Sequence, residues 1–246
     1  MSDIYQQITQ ICTQLITENN VKTVLDYGCG KGHLLELIQK ENPDIMLYGT
    51  DYFKKNGIQP VNNHSIQFID REDIDNSFSN HSFDLIVSTF ALHHFQYPVS
   101  ELQKIYAFLT NNGHFIMFDH QIVLDSHAKI VKTVSSLIGE IEGCLKKSYH
   151  RHHYTIEEAK DLFKAIPVNI EAVVELKDQI STEEMLEDQQ EKLERNRKIQ
   201  QMVSQNSSDF MKSIWLPLYQ LEEKLIESYQ IDFTDVFYIL AKKTSK

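Results

Sequence analysis

The stretch that most constrains this chain runs from Val24 to Ile38 and reads VLDYGCGKGHLLELI. An apolar run that favours a buried strand leads into Gly28, Gly30 and Gly32, and glycine permits tight turns and close backbone approaches. Leucines and an isoleucine then recur at helical spacing. The stretch therefore predicts a strand, a glycine turn and a helix, an arrangement that can seat a nucleotide-like cofactor.

The glycine spacing and a nearby acid limit what that cofactor can be. A dinucleotide fingerprint reads G-x-G-x-x-G, whereas the third glycine here comes one residue early and Asp26 stands two residues before the first. A diphosphate beside this carboxylate would be repelled by about 1 kcal/mol or more. A cationic amino group would be attracted. Because turns before helices also use glycine for steric reasons, the loop alone is weak support for any cofactor.

The first half of the chain alternates strands and helices. Residues 3–18 have helical spacing, and Tyr5 within them either covers a cofactor or packs on the core. Further strands are predicted at 22–26, 45–50, 65–69, 83–89 and 114–119, with a helix from Pro98 to the stop signal Asn112-Gly113. This alternation predicts an α/β fold with a doubly wound parallel sheet and a site at the carboxyl ends of the strands.

Two groups of acids follow the second and third predicted strands. Asp51 lies 23 positions after Gly28, which suits a carboxylate that binds ribose hydroxyls, although it can also cap a helix before Tyr52. The run at 70–75 contains four acids, one of which can accept from an adenine amino group. We predict that Asp73, which is followed by the apolar Ile74, is the acid that binds adenine, with Glu72 as the second candidate. The alternative is that the run forms a solvated turn.

Histidines collect after the fourth and fifth strands and in the stretch KKSYHRHHY. We expect His93, His94, His120, His150, Arg151 and His153 to converge at the mouth of the site. A cationic group of this kind suits a carboxylate or phosphate on a substrate. The alternatives are a solvated surface and a divalent metal bound through the imidazoles, and no metal is predicted because the spacing H-x-H-H matches no metal-binding motif.

The second half is mainly helical. Helices are predicted at 121–147 and from the capping box of Thr155 and Glu158 through 165, with a sixth strand at 170–176 and a seventh at 233–241. The helical segment 181–230 suits a substrate lid, an association surface or plain packing, and Pro217 is expected to break or start a helix there.

Composition narrows the class of protein. A chain of 246 residues with 41% hydrophobic content can bury a core without disulfides. Three widely separated cysteines fit reduced thiols, and no apolar run reaches transmembrane length, so we expect a cytoplasmic protein with no membrane partner. The net charge of −11 disfavours nucleic acid as a partner.

Taken together, Asp26-x-Gly28-x-Gly30-x-Gly32, Asp51, the acidic run and FDLIVSTFALHHF followed by a helix and NNGHFIMFD resemble class I S-adenosylmethionine-dependent methyltransferases. The resemblance covers residues 20–120 well, with Asn112-Gly113 in place of the usual glycine pair. It implies a Rossmann-like methyltransferase fold with seven mostly parallel strands, the seventh antiparallel between the fifth and sixth, and helical insertions over the carboxyl ends of the strands. We expect one domain over 1–246, with a cofactor-binding half at 1–120, a substrate-side half with a lid helix at 121–180, a helical insertion at 181–230 and the last strand at 231–246.

The resemblance also assigns roles to residues. S-adenosyl-L-methionine would be the cofactor, with its methionine end on Asp26, Gly28, Gly30, Gly32 and Ser88, its ribose on Asp51, and its adenine on Asp73 and Ile74. Tyr52 would also bind the cofactor. A base is needed only if the acceptor arrives protonated, and the candidates are His94 and His120. The remaining cationic residues, His93, His150, Arg151 and His153, would bind the acceptor.

The predicted function is methyl transfer from S-adenosylmethionine to oxygen or nitrogen of a small-molecule acceptor, which the basic stretch suggests is anionic. The alternatives are a tRNA or protein methyltransferase, a nicotinamide-dependent oxidoreductase, and a catalytically silent scaffold that dimerises or binds a partner through 181–230.

Overall fold

The computed structural model describes residues 3–121, 127–146, 149–177, 182–229 and 235–244. The chain divides into two compact units. The first comprises Met1–His120, Tyr154–Leu176 and Val236–Lys246, and the second comprises Gln121–His153 and Lys177–Asp235. The capping-box helix and the sixth strand therefore belong to the first unit, together with residues up to His120.

One seven-stranded sheet organises the first unit. Its strands are β1 Thr23–Tyr27, β2 Met46–Asp51, β3 Ile66–Asp70, β4 Phe83–Thr89, β5 Leu109–His120, β6 Val168–Lys177 and β7 Asp235–Lys243. Their order is β3-β2-β1-β4-β5-β7-β6, with β7 antiparallel to β5 and the other registered pairs parallel. This confirms the predicted fold class, including the place of the seventh strand between the fifth and sixth.

The described helices are α1 Asp3–Glu18, α2 His33–Glu41, α3 Phe53–Asn56, α4 Ile74–Ser77, α5 Pro98–Phe108, α6 His127–Lys146, α7 Ile156–Phe163, α8 Thr182–Asn206 and α9 Asp209–Ser228.

Helices of the first unit cover both faces of the sheet. Successive residues of β1 point to opposite faces, so Val24 packs in the core layer beside α1 and α2, and Leu25 packs in the layer beside α5 and α7. The near-continuous apolar sequence of β4 is explained in the same way.

The fifth strand begins earlier than predicted. The expected helix up to Asn112-Gly113 instead ends at Phe108, and Leu109 to Gly113 belong to β5. Leu109 is fully buried and pairs with Phe83 of β4, and its carbonyl accepts from Lys243 Nζ at 2.7 Å. These long-range contacts stabilise an extended backbone where local spacing predicted a helix.

The prediction for Pro217 was wrong. α9 runs through this proline without a break. An interior proline costs about 3 kcal/mol because it removes a hydrogen bond and crowds the preceding turn. Trp215 and Tyr219 are buried on either side of it, and this packing within the second unit keeps the helix continuous.

The second unit is built from α6, α8 and α9. The polarity of α8 is explained by its bonds to α9, because the buried Asn196 donates to the Tyr219 carbonyl at 3.0 Å and Arg197 pairs with Glu223 at 2.6 Å. α8 and α9 confirm the prediction that the segment 181–230 is mainly helical. The beginnings of the predicted helix at 121–147 and of the seventh strand lie partly outside the described residues. No helix in the described part of the chain is both long and apolar enough to span a membrane.

Candidate functional site

The glycine loop joins β1 to α2 and is hydrogen-bonded to the end of β2. Gly28, Gly30 and Gly32 have positive φ angles of 90°, 54° and 88°. The backbone N–H groups of Gly28 and Cys29 both donate to the carbonyl of Thr50, at 2.8 and 3.1 Å. The loop therefore has a fixed shape set by the neighbouring parallel strand.

Asp51 at the end of β2 completes this anchoring. Its two carboxylate oxygens accept from the backbone N–H groups of Gly30, at 2.9 Å, and Tyr52, at 2.7 Å. A loop that cradles a diphosphate directs its N–H groups at the ligand. Here the N–H groups of residues 28, 29 and 30 bind protein oxygens, which argues against a dinucleotide and supports the interpretation made from the glycine spacing.

Asp26 is buried beneath the loop at 2% exposure. Its Oδ1 atom has no hydrogen-bond partner among the described residues. Burial, and next the charge of Asp51, raise the pKa of this carboxyl to about 8. A buried carboxyl with an unpaired oxygen favours a cationic ligand, because an opposite charge offsets the cost of ionising it.

Asp26 gives a testable pH dependence. Its ordinary pKa is 3.8 and its folded pKa is about 8, so between these values the folded chain holds the extra proton and its free energy of unfolding falls as pH rises. The slope is at most about 1.4 kcal/mol per pH unit. In urea unfolding of the cofactor-free protein, the free energy of unfolding of Asp26→Asn should increase relative to that of the wild type as the pH rises from acidic to neutral. Parallel pH curves would contradict this, and the exposed Asp44→Asn is the matched control.

The four acids at 70–75, one of which was predicted to bind adenine, lie in different surroundings. Asp70 pairs in register with Asp51, but its carboxylate accepts from the N–H groups of Lys54 and Glu72, and the Lys54 N–H bond holds its pKa below the usual value. Asp73 is exposed before α4 and its Oδ2 lies 2.8 Å from Lys54 Nζ. Ile74 is fully buried in the core. The assignment of Asp73 and Ile74 to adenine stays a prediction.

Sequence reasoning missed a buried polar network next to this region. Arg71 is 7% exposed, pairs with Glu101 of α5, and lies over the ring of Tyr27 at 3.8 Å from the centroid. The Tyr27 hydroxyl donates to the same Glu101 carboxylate at 2.5 Å. Burial lowers the pKa of Arg71 and the charge of Glu101 opposes that effect. An arginine directly after a buried strand is the only signal that the sequence offers for it.

His93 and Asp119 form a buried pair at the ends of β4 and β5. His93 Nδ1 lies 2.9 Å from Asp119 Oδ1, and the two residues are 5% and 0% exposed. The Asp119 carboxylate also accepts the backbone N–H of His120 at 2.8 Å. His94 is exposed, and its ring centroid lies 4.1 Å from that of His93. The sequence suggested His94 and His120 as bases but gave no sign of Asp119.

Three other predicted residues lie near these strand ends. His120 stacks on Phe90 with the ring centroids 4.4 Å apart, and Tyr5 of α1 meets Phe90 edge-on at 6.0 Å. Ser88 is fully buried and its hydroxyl donates to the Tyr27 carbonyl at 2.9 Å. Ser88 therefore links β4 to β1, and its role in lining the methionine side stays a prediction.

Tyr52 is 38% exposed at the end of β2, and Lys55 Nζ lies 5.3 Å from its ring centroid. Burial, followed by the charge of Glu101, raises the pKa of the Tyr52 hydroxyl. Several acids therefore surround this part of the site, which would repel an anionic ligand and attract a cationic one.

The predicted acceptor residues in the second unit lie along α6. The His150 ring borders Gly139, the His153 N–H donates to Ser136 Oγ at 3.2 Å, and His152 Nδ1 lies 3.0 Å from Glu140 Oε2. The hydrogen bond from His152 lowers the pKa of Glu140, and the charge of Arg151 acts in the same direction. The structure therefore places His150, His152 and His153 against one helix, and the part of the predicted residues in acceptor binding stays a prediction.

A family model described as a methyltransferase domain matches residues 3–172. The chain belongs to this methyltransferase domain family. Its residues fit the family's cofactor, S-adenosylmethionine, in two respects. Asp26 offers a buried carboxyl oxygen without a hydrogen-bond partner in the described part of the chain. A Cβ atom added at Gly30 would meet nothing within 4 Å, so the loop leaves open space there.

Solved structures share the fold of this methyltransferase domain. The YcgJ protein from Bacillus subtilis is 15% identical over 98% of this chain and 100% of its own, with a TM-score of 0.58. The cyclase SpnF is 12% identical over 98% and 81%, with a TM-score of 0.60. Phosphoethanolamine N-methyltransferase 2 from Haemonchus contortus, in complex with S-adenosyl-L-methionine, is 14% identical over 91% and 49%, with a TM-score of 0.51. No curated protein sequence matched the chain.

Proposed function

We propose that this methyltransferase domain transfers the methyl group of S-adenosylmethionine to an oxygen or nitrogen atom of a small, anionic acceptor. The observation that carries the proposal is the buried Asp26 carboxyl beneath a glycine loop whose N–H groups bind protein oxygens. This site favours a ligand with an ammonium group over a diphosphate. The net charge of −11 and the basic residues at 150–153 favour a small anion over a polyanion as the acceptor.

Each cofactor residue has a defined task in this proposal. S-adenosylmethionine supplies a methyl group already activated on a sulfonium sulfur. Asp26 binds the ammonium group, Asp51 accepts from the ribose hydroxyls on its remaining lone pairs, and Asp73 with Ile74 binds the adenine. Holding two reactants in line can supply about 7 to 11 kcal/mol of the barrier, so binding and orientation are the main work of these residues.

The proton of the acceptor requires a separate group. Asp119 holds His93 through Nδ1, which places the lone pair of the neutral ring on Nε2. His93 is therefore the proposed base, with Asp119 as its positioning residue. His94 and His120, which the sequence suggested, adjoin the pair through the His93 ring and the Asp119 carboxylate.

The proposal is tested first by calorimetric titration with S-adenosylhomocysteine, for which we expect one site per chain. A folded sample that binds nothing would contradict it. A panel of small hydroxyl and amino acids and phosphates, incubated with methyl-labelled S-adenosylmethionine, then identifies the acceptor. Labelling of tRNA or protein in place of the panel, with strong salt dependence for RNA, would favour the alternative acceptors.

Asp51→Ala should weaken the binding of S-adenosylhomocysteine by about 10- to 150-fold, since hydrogen bonds to charged groups contribute about 1.5 to 3 kcal/mol. The substitution also removes the acceptor of the Gly30 N–H. Calorimetry measures the loss, and circular dichroism checks that the sheet is retained. The exposed Asp44→Ala controls for net charge, and equal affinities in Asp51→Ala and wild type would refute the ribose assignment.

Self-association through the helices of 181–230 is a separate part of the proposal. Three exposed apolar residues of α9 recur at the spacing of one helix face: Phe210 at 72% exposure, Ile214 at 38% and Leu221 at 48%. Apolar faces of this kind are typical of interfaces. Sedimentation of the full chain as a monomer at high concentration would contradict this part alone.

A further inference from the structure

Three rings meet at the carboxyl end of β4. Phe90 stacks on His120 with an interplanar angle of 13°, and Tyr5 of α1 meets Phe90 at 71°. Phe90 has a φ of +54°, while its N–H still donates to the Phe118 carbonyl at 2.8 Å. A bulky residue in the left-handed region is unusual, and such backbone outliers concentrate at functional sites. The orientation of the Phe90 ring is therefore set by a strained backbone conformation and by stacking on His120.

These rings border the methionine side of the proposed cofactor site. The residue after Phe90 is Ala91, whose Cβ would lie 2.6 Å from a Cβ added at Gly28. The turn that carries Phe90 thus packs directly on the glycine loop. The pKa of the Tyr5 hydroxyl is raised by burial and then by the charge of Asp26, so Tyr5 lies within electrostatic reach of that carboxyl.

The covalent structure of S-adenosylmethionine connects these observations. Its sulfonium sulfur links the amino acid, assigned to Asp26, to the ribose, assigned to Asp51. With these assignments the sulfur would lie between the two carboxyl groups, next to the glycine loop on which the turn that carries Phe90 packs. Both rings also pack against the same core layer as Cys29 of the glycine loop.

We propose that Tyr5 and Phe90 form an aromatic wall that binds the sulfonium of S-adenosylmethionine and makes the site discriminate the charged donor from its neutral product, S-adenosylhomocysteine. The inference rests on the proposed function and adds a specificity determinant to it. Ring faces attract cations by about 0.5 to 2 kcal/mol, depending on how far the pair is removed from water. This range corresponds to a factor of about 2 to 30 in affinity, and the same factor would ease release of the product.

The test needs no acceptor, because it compares binding constants. S-adenosylmethionine, S-adenosylhomocysteine and sinefungin, which carries an ammonium near the place of the sulfonium, are titrated into the full chain by calorimetry. Phe90→Leu and Tyr5→Leu keep an apolar side chain but remove the ring. For each variant we expect the preference for the two cationic ligands over S-adenosylhomocysteine to fall about 2- to 30-fold.

Two control variants isolate the ring face. Phe90→Tyr keeps it and should keep the preference. Phe78→Leu removes a ring that packs on Tyr48 at 5.2 Å and Phe83 at 4.8 Å within the core, and it should leave the preference unchanged. If Phe90→Leu fails to fold, Tyr5→Leu on α1 carries the test.

The outcomes separate the two proposals. If all three ligands bind and the preference is the same in wild type, Phe90→Leu and Tyr5→Leu, the rings are packing residues and the inference is overturned. If the folded wild type binds none of the ligands, the proposed function fails as well. A selective loss for the cationic ligands supports the aromatic wall.

Discussion

Asp119→Asn will lower kcat by about 10²- to 10⁴-fold on the acceptor identified by the panel, because general base catalysis contributes about that much. The wild-type carboxylate lies 2.9 Å from His93 Nδ1 and also accepts the N–H of His120. An amide at this position removes the negative charge that stabilises protonated His93. Steady-state kinetics should show the loss in kcat, with the affinity for S-adenosylhomocysteine unchanged.

The His93→Gln variant distinguishes a base from a structural histidine. It should lower kcat by about 10²- to 10⁴-fold on the same acceptor and change the pH dependence of kcat, because it removes the proposed base. The double variant with Asp119→Asn should cost little more than either single change, since residues that act as a unit are not additive. The exposed His33→Ala serves as the matched control. Full activity and an unchanged profile in His93→Gln would assign the base to His94 or His120 instead.

The parts of the fold that sequence predicts well are those set by local period. The glycine turn between β1 and α2, the alternation of strands and helices and the capping box at Thr155 all follow from spacing over a few residues, and the structure has them. The position of β7 between β5 and β6 is also correct, but it came from resemblance to a family. No local pattern in β7 specifies which strands it will pair with.

The errors and omissions have a common physical origin in contacts between distant residues. Leu109 joins β5 because Phe83 and Lys243 bind it, and Pro217 stays helical because its neighbours are packed. The carboxylates of Glu101 and Asp119 matter because Arg71 and His93 reach them across the sheet. Positions that look ordinary along the chain acquire their roles only from such pairings.

The site, more than the fold, supports the functional proposal. The fold is similar to that of a structure described as a cyclase, SpnF, so the architecture alone does not determine the reaction. The features that favour an ammonium-bearing cofactor are specific side chains and N–H groups. They are the buried Asp26 carboxyl, the Asp51 carboxylate that accepts two backbone hydrogen bonds, and the glycine loop whose N–H groups donate to protein oxygens. Each of them is removable by a single substitution.

Gly28→Ala should destabilise the protein by about 2 to 5 kcal/mol and abolish measurable cofactor binding. Gly28 has a φ of +90°, and a Cβ there would lie 2.6 Å from Ala91 Cβ. An L-residue in the left-handed region costs about 1 to 2 kcal/mol, and overpacking adds about 1 to 3 kcal/mol. Urea unfolding measures the first effect, and calorimetry with S-adenosylhomocysteine measures the second.

Two further variants divide this cost into its causes. Gly30 has a φ of +54°, and a Cβ added there would meet nothing within 4 Å. Gly30→Ala should therefore lower the free energy of unfolding only by the backbone cost of about 1 to 2 kcal/mol. Adding Ala91→Gly to Gly28→Ala removes the clash but not the backbone strain, and it should restore part of the stability. If Gly28→Ala and Gly30→Ala unfold at the same urea concentration, the close approach of Ala91 to the loop does not limit residue 28. The methionine end of the site would then be less tightly enclosed than this contact indicates.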